Sequence, residues 1–193
     1  NNLTVSGITS TKYAFAALRS DGSVVSWGSP YDGGNSSAVD FNGPNDNLKV
    51  TRIFSNEYAF AALRSDGSVV SWGDANYGGN SSSIDFNGAN DNLTVSEIFA
   101  TKWAFTAIRN DGSAISWGSA YNGGDSNNID LNGPENDLSI SQVSSTNGAF
   151  AALRSDGSVV TWGGAGGNSS AVDFNGPGNN LKVSRLYASE NAF

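Results

Sequence analysis

Two short apolar runs, separated by a polar tetrapeptide, form the first regular pattern in this chain. The runs are residues 15–19 and 24–27, and the segment between them reads Ser-Asp-Gly-Ser. Runs of this length on either side of Asp-Gly predict a β-hairpin with a type I′ turn, because Asp-Gly tolerates the positive φ of both central positions. Apolar residues alternate onto both sides of the first strand. We therefore expect the hairpin to be covered on both faces, as in a stack of sheets.

The hairpin recurs almost unchanged at three later places, and its tryptophan returns every 45 residues. Self-similarity at a fixed period of this length predicts a propeller, a solenoid or another architecture of stacked repeats. We expect the recurring tryptophans to be core residues at strand ends and the recurring Asp-Gly pairs to form the turns. The positions with these structural roles are Asp21, Gly22, Asp66, Gly67, Trp27, Trp72, Trp117 and Trp162.

Each hairpin is preceded by another strand and followed by a loop. A Leu-x-Val strand, which begins at Leu3 in the first copy, precedes the hairpin. A Gly-Gly loop follows Trp27, and the segment after it predicts a short outer strand through Val39 and Phe41. No segment carries the apolar period of a helix. The predicted fold class is all-β, with units that hold three strands and this additional outer strand.

The repeat predicts a single array over residues 1–193. Its units cover approximately residues 2–46, 47–91, 92–136 and 137–179, with a partial fifth unit at 180–193. Because the chain starts with Asn1 rather than Met, we expect a mature or excised piece. The partial unit carries Leu181, Val183, Leu186, Tyr187 and Phe193 without a hairpin to cover them. Either this is only a boundary, or another copy or a neighbouring repeat covers the unfinished unit.

The repeated block resembles the regulator-of-chromosome-condensation (RCC1) type of repeat, in particular bacterial secreted or surface versions. The matching positions in the first unit are Leu18, Asp21, Gly22, Trp27, Gly28, Tyr31 and Gly33. The resemblance implies blades of four antiparallel strands in a β-propeller, usually of seven blades. Four units cannot close such a ring, so an open superhelical stack or a β-solenoid of the same units is the alternative. The histidine that begins the family's hairpin is absent, and no segment matches its nucleotide-exchange loop.

Charge and composition narrow the function classes. The formal net charge is −8, which argues against nucleic acid and anionic membrane surfaces as partners. The sequence contains no histidine and no cysteine, so Ser-His-Asp and Cys-His catalysis and thiolate metal sites are excluded. Without an apolar run near 20 residues, we expect no membrane insertion. Every candidate carboxylate recurs in each unit, which is typical of a structural residue. We therefore expect the chain not to be an enzyme.

Calcium is the best inorganic ligand for the loops that join the units. Carboxylate and amide oxygens cluster there beside flexible glycine, and these are the ligands that calcium prefers. The candidates are Asp40, Asn42, Asn45, Asp46, Asp85, Asn87, Asp91 and Asp130. The spacing matches no EF-hand or nonapeptide motif. The alternative is that these side chains form Asx-turns that hold surface loops, so that no cofactor is needed.

Exposed aromatic residues in the Gly-Gly loops offer a second kind of site. Tyr31, Tyr77 and Tyr121 could stack on sugar rings, which would make the array lectin-like. Near-identical units favour a structural or adhesive function over sugar binding, since duplication adds length and polyvalency to an array. The sequence thus predicts an extracellular or cell-surface protein with a structural, adhesive or filament-forming function. Its expected partners are other copies or neighbouring repeats, and glycans are the alternative.

Overall fold

The computed structural model describes residues 3–88, 90–133, 137–164, 166–176 and 181–193. The strands are β1 (Val5–Ser10), β2 (Ala14–Arg19), β3 (Val24–Gly28), β4 (Val50–Ser55), β5 (Ala59–Arg64), β6 (Val69–Gly73), β7 (Val95–Ala100), β8 (Ala104–Arg109), β9 (Ala114–Gly118), β10 (Ile140–Ser145), β11 (Ala149–Arg154) and β12 (Val159–Gly163). Short 3-10 turns lie at Pro30–Asp32, Ala75–Tyr77 and Ala120–Asn122. Over these ranges, no helix has the length and apolar character needed to cross a membrane.

Each repeat forms one three-stranded antiparallel sheet, which we call a blade. Blade 1 contains β1–β3, blade 2 β4–β6, blade 3 β7–β9 and blade 4 β10–β12, and the middle strand of each is the first strand of the hairpin. The prediction of an all-β fold with propeller-type antiparallel blades is confirmed. The chain forms two compact units, residues 1–96 and 97–193.

The register of the hairpin gives each blade two apolar faces. In blade 1, Phe15 lies opposite Trp27 and Ala17 lies opposite Val25. Because side chains alternate along a strand, these residues share one face, while Ala16 and Leu18 lie on the other. We call the first the front face and the second the back face, and use the same names in the other blades.

The hairpin turn is not of type I′. Gly22 has a positive φ of 85°, whereas Asp21 does not. The amide of Gly22 donates to the carbonyl of Arg19 at 2.9 Å, and the Asp21 carboxylate accepts from the amide and hydroxyl of Ser23 at 3.0 and 2.7 Å. These bonds hold Asp21 in an Asx-turn, so glycine alone takes the left-handed conformation. Asp-Gly correctly predicted a hairpin, but the turn type was wrong.

The outer strand predicted through Val39 and Phe41 does not form either. The segment that carries Val39 and Phe41 consists of turns and bends. The Asp40 carboxylate accepts hydrogen bonds from the amides of Asn42 and Gly43, at 3.0 and 2.8 Å. This second Asx-turn, completed by Gly43 at φ 72°, curls the backbone too tightly for a strand. The segment instead places Phe41 over the neighbouring blade.

Candidate functional site: a repeated blade interface

Blades 1 and 2 meet through an apolar interface. The front face of blade 2 packs on the back face of blade 1, and Phe41 from the loop of blade 1 covers its edge. The buried residues of this cluster are Ala14, Ala16, Phe41, Val50, Phe60, Ala62 and Trp72. Phe60 and Trp72 are stacked with ring centroids 5.0 Å apart, and Phe41 meets the Trp72 ring edge-on at 5.1 Å. The small alanines let these rings lie directly against the preceding blade.

A polar contact fixes the tryptophan in this interface. The indole N–H of Trp72 donates to the carbonyl of Gly33 at 2.9 Å, so burying the indole leaves its donor satisfied. Gly33 has φ 94°, and a Cβ there would lie 2.5 Å from the Phe60 ring. Both features require glycine. The sequence analysis did not predict that Gly33 contacts the next blade. The recurrence of the Gly-Gly pair after each of the first three hairpins was the only sign of it.

Backbone hydrogen bonds add to the apolar contact between blades 1 and 2. The amide of Lys12 donates to the carbonyl of Glu57 at 2.9 Å, and the amide of Val50 donates to the carbonyl of Gly22 at 3.2 Å. The guanidinium of Arg64 donates to the carbonyl of Asp40. Arg64 thus ties the hairpin of blade 2 to the preceding loop, a role that the sequence did not indicate.

Blades 3 and 4 repeat the same interface. The Trp162 indole donates to the carbonyl of Gly123 at 3.1 Å and to the hydroxyl of Ser116 at 3.2 Å. Arg154 donates from Nε to the carbonyl of Leu131 at 3.2 Å, and its guanidinium also reaches the carbonyl of Asp130. The buried cluster contains Ala104, Ile108, Leu131, Val143, Phe150, Ala152 and Trp162. The same interface therefore forms in both compact units.

The front face of blade 1 is exposed. Ile8, Phe15 and Trp27 are 62%, 45% and 44% exposed, and the two rings stack at 5.5 Å. Trp72, Trp117 and Trp162 are at most 3% exposed. The expectation that every recurring tryptophan is a core residue is therefore wrong at Trp27, because no blade of this compact unit covers it.

Residues 181–193, which we call the tail, dock on blade 4 although they form no regular strand. The backbone amide of Val183 donates to the carbonyl of Gly157 at 3.1 Å, as that of Val50 does to Gly22. The backbone amide of Asn147 donates to the backbone carbonyl of Glu190 at 2.8 Å. Leu186 is 8% exposed and packs on Ala151 and Leu153. Leu181 and Tyr187 stay exposed. The expectation that the unfinished unit lacks cover is thus wrong for Leu186.

A cavity of about 450 Å³ lies between the tail and the back of blade 4. Its lining includes Ala151, Val159, Val172, Phe174, Leu186 and Phe193. The first four stand at the repeat positions of Ala16, Val24, Val39 and Phe41, which hold the front face of blade 2 in the interface of blades 1 and 2. Leu186 and Phe193 belong to the tail and stand at the positions of Ile53 and Phe60. The cavity therefore lies on the surface of blade 4 that corresponds to the back face of blade 1.

The calcium candidates lie in the loops that follow each blade, where most of their contacts are structural. The Asp85 carboxylate accepts from the amide of Asn87 at 3.1 Å, as Asp40 does in its own turn, and the side-chain amide of Asn87 donates to the carbonyl of Leu93 at 3.0 Å. Asp46 and Asp91 have positive φ of 51° and 50°. Among the described residues, no three acidic side chains converge on a common point. The remaining candidates, Asn45 and Asp130, lie in the same loops.

The tyrosine loops differ from one another in exposure. Tyr31 and Tyr121 are 83% and 77% exposed. Tyr77 packs instead against Tyr58, with ring centroids 4.8 Å apart. Two of the three proposed stacking residues are thus freely accessible, while the third has one face covered by its own blade.

The hairpin aspartates have lowered pKa values. The hydroxyl and amide of Ser23 donate to the carboxylate of Asp21 and lower its pKa. Ser158 lowers the pKa of Asp156 in the same way. At Asp66 and Asp111, burial raises the pKa, but the corresponding serine bonds outweigh it. These shifts belong to turns that recur in every blade, which is the pattern of a structural rather than a catalytic carboxylate.

Comparison with solved structures identifies the fold. The chain is similar to the ectodomain of the Physcomitrella patens receptor kinase CR4, with 18% identity and a TM-score of 0.57 over 98% of this chain and 46% of that one. It is also similar to human WBSCR16, with 18% identity and a TM-score of 0.59 over 84% of this chain and 48% of that one. Yeast RCC1 (Prp20), solved bound to Kap60, has 19% identity and a TM-score of 0.57 over 84% of this chain and 44% of that one. The chain spans less than half of these proteins. No protein-family model matches the sequence, and comparison with curated proteins finds no match. The likenesses show an RCC1-like blade fold.

Proposed function

We propose that this chain is a non-catalytic, structural and adhesive repeat protein that associates head to tail, either with other copies or with further repeats of a longer chain. In this proposal the front face of blade 1 docks on the back of blade 4. The protein acts outside the cell, as in the bacterial secreted and surface arrays that the sequence resembles.

The observation that carries the proposal is the complementarity of two surfaces. One carries the Phe15–Trp27 stack, and the other carries an apolar cavity where such a stack lies in each complete interface. An exposed pair of large aromatic rings is typical of an interaction surface. Because the contact joins two different faces, it closes into a ring if the rotation permits and otherwise grows a filament.

Charge and the solved structures add weaker support. The net charge of −8 favours protein or neutral partners over nucleic acid. Solved structures with this blade fold include a receptor-kinase ectodomain and a complex of yeast RCC1 with Kap60, which are a receptor exterior and a protein–protein assembly. Both uses are compatible with a non-enzymatic protein-binding array. We propose in addition that the carboxylates that recur in its turns stabilise the turns and take no part in catalysis.

Sedimentation equilibrium of the chain tests the proposal. We expect the weight-average mass to rise with concentration, and Trp27→Ser to reduce this rise strongly. Tyr31→Ser is the matched control, because Tyr31 is 83% exposed in the same repeat but lies outside the front face. A chain that stays monomeric at every concentration contradicts association with other copies, and equal loss of association in both variants contradicts docking through the front face of blade 1.

A carbohydrate-binding array is the second candidate function, favoured by the equivalent exposed positions of Tyr31 and Tyr121. Aromatic faces of this kind can stack on sugar rings. A glycan array screen tests it: binding that is lost in a Tyr31→Ser, Tyr121→Ser double variant supports a lectin. Binding that is absent in the parent, or unchanged in the variant, contradicts it.

A further inference from the structure

The loops that follow the hairpins carry a recurring motif that plays no part in the proposed association. Directly after the Gly-Gly pair, three of the four repeats have Asn-Ser-Ser, whereas the third repeat has Asp125-Ser-Asn. Asn-x-Ser is the acceptor pattern for N-linked sugars and is typical of surface loops. We infer that Asn35, Asn80 and Asn168 are N-glycosylation sites. This inference is independent of the head-to-tail association.

Each of these asparagines lies in the same Asx-turn. Oδ1 of Asn35 accepts a hydrogen bond from the backbone amide of Ser37 at 3.0 Å, and the equivalent bonds at Asn80 and Asn168 are also 3.0 Å long. The turn engages only the carbonyl oxygen of the side chain. Among the described residues, no hydrogen bond involves Nδ2 of these three asparagines, and Nδ2 is the atom to which a sugar is attached.

The loops present to solvent the two groups that define the motif. Asn35 and Ser37 are exposed, and so are their counterparts in the second and fourth repeats. The serine between them is partly buried, because Ser36 accepts a hydrogen bond from the hydroxyl of Ser26 on β3 at 2.8 Å. The equivalent hydroxyls of blade 4 are also 2.8 Å apart. The middle residue thus anchors the loop on its own blade, while the acceptor amide and the hydroxyl two residues later stay accessible.

The modification transfers a sugar from a sugar diphosphate donor. A bond forms between Nδ2 and the anomeric carbon, while the bond from that carbon to the donor phosphate breaks. The diphosphate leaves, and Nδ2 loses one proton. Oδ1 remains a carbonyl oxygen in the product, so the Asx-turn is retained. A bulky, polar glycan therefore displaces no hydrogen bond of these side chains.

A glycan at these positions is also compatible with the stacking of blades. Asn168 lies at the cavity on blade 4, where the proposed docking takes place. Its counterpart Asn35 stays exposed although blade 2 covers the back face of blade 1. A sugar on Asn168 would therefore stand at the rim of a docked interface and not inside it.

Another copy of the motif lies in a different environment and supplies an internal control. Asn92-Leu-Thr matches the acceptor pattern, and Asn92 is exposed. Its Thr94, however, packs on the hairpin turn of blade 2, where a Cβ at Gly67 would clash with it. Because the fold holds the threonine in place, we expect a transferase to reject this site in the folded chain. The remaining motif, at Asn2, lies outside the described residues.

A soluble N-glycosyltransferase that uses UDP-glucose tests the inference on the folded full chain. The chain is incubated with the enzyme and the donor and then digested, and each asparagine is assayed for an added hexose by mass spectrometry. We expect each of Asn35, Asn80 and Asn168 to reach at least about tenfold the occupancy of Asn92.

Variants of single loops supply matched controls. Ser37→Ala should remove the hexose from Asn35 alone, because it deletes the hydroxyl of the motif, whereas Ser36→Ala should retain it. In the third repeat, Asp125 accepts from the amide of Asn127 at 2.9 Å in the same Asx-turn. Asp125→Asn combined with Asn127→Ser should therefore create a fourth occupied site.

The outcomes decide between the loops and the bare motif. Occupancy at the three loops with little at Asn92 supports the inference. A folded chain that accepts no hexose at the three loops overturns it, whether or not a peptide of residues 33–40 is modified. Equal occupancy of Asn92 also overturns it, because the motif alone would then select the sites. These results leave the sedimentation test of association unaffected, so the two failures are distinguishable.

Discussion

At the scale of single residues, the four recurring tryptophans are chemically identical but differ in environment. Trp72 is 3% exposed, lies between two aromatic rings and donates to a carbonyl of the preceding blade. Trp27 has the same neighbours on its own blade but is 44% exposed. The difference arises entirely from what covers the front face.

We therefore predict unequal costs for truncating these tryptophans. Trp72→Ala removes a buried indole and leaves a cavity, so it should lower the free energy of unfolding by about 3–5 kcal/mol. Trp27→Ala should cost roughly half as much or less in dilute solution, because solvent fills the vacated space. Urea unfolding at low protein concentration gives both values. Equal losses would show that Trp27 is buried in the isolated chain.

Gly33 provides a prediction about the close approach between blades. Alanine at this position combines a strained positive φ with a contact to the Phe60 ring, and Gly33→Ala should cost more than about 1 kcal/mol. Gly7→Ala is the matched control, since a Cβ at Gly7 would have nothing within 4 Å of it. It should change the free energy of unfolding by less than about 0.5 kcal/mol. A neutral Gly33→Ala would refute the interface as described.

The turn aspartates predict a pH dependence of stability. Their pKa values are lowered in the folded chain, so their contribution is present above about pH 4 and is lost as the pH falls through the folded pKa. Replacing all four hairpin aspartates by asparagine keeps an acceptor in each turn but removes the titration. The parent should lose more stability than this variant as the pH falls below about 4. Parallel curves in chemical denaturation would contradict the prediction.

At the scale of elements, the sequence predicted the strands well because the repeat presents each pattern four times. Alternating apolar residues and Asp-Gly marked β2 and β3, and Leu-x-Val marked the strand before them. The outer strand failed because Asp40 uses its side chain to cap its own backbone, a local competition that apolar patterning does not reveal. The interface residues Gly33 and Arg64 were missed because their partners lie in another repeat.

The same loop chemistry leads to a prediction about calcium. The carboxylates of Asp40 and Asp85 are engaged by amides of their own turns, so they hold the loops without an ion. We expect a chelator to leave the melting temperature unchanged, and added calcium to leave it unchanged as well. A chelator-induced fall that calcium but not magnesium reverses would establish a calcium site, because a ligand of the folded state raises its stability.

At the scale of the whole molecule, the same kind of blade interface recurs inside each compact unit, and the proposed head-to-tail association rests on this recurrence. The front face of blade 1 is equivalent to the face of blade 2 that packs on blade 1. The back face of blade 4 is equivalent to the back face of blade 1, on which blade 2 packs. The tail could be recognised in the sequence as an unfinished unit. Its docked conformation could not, because the bonds from Gln142 and Asn147 join residues more than 40 positions apart.

Fluorine NMR of the chain labelled with 5-fluorotryptophan tests the central claim most directly. The five tryptophans give separate signals, and Trp27→Phe identifies that of Trp27. On increasing concentration, the signal of Trp27 should shift and become protected from a soluble quencher, while that of Trp72 should stay unchanged. A Trp27 signal that remains solvent-accessible at concentrations where the chain associates would contradict docking through the front face of blade 1.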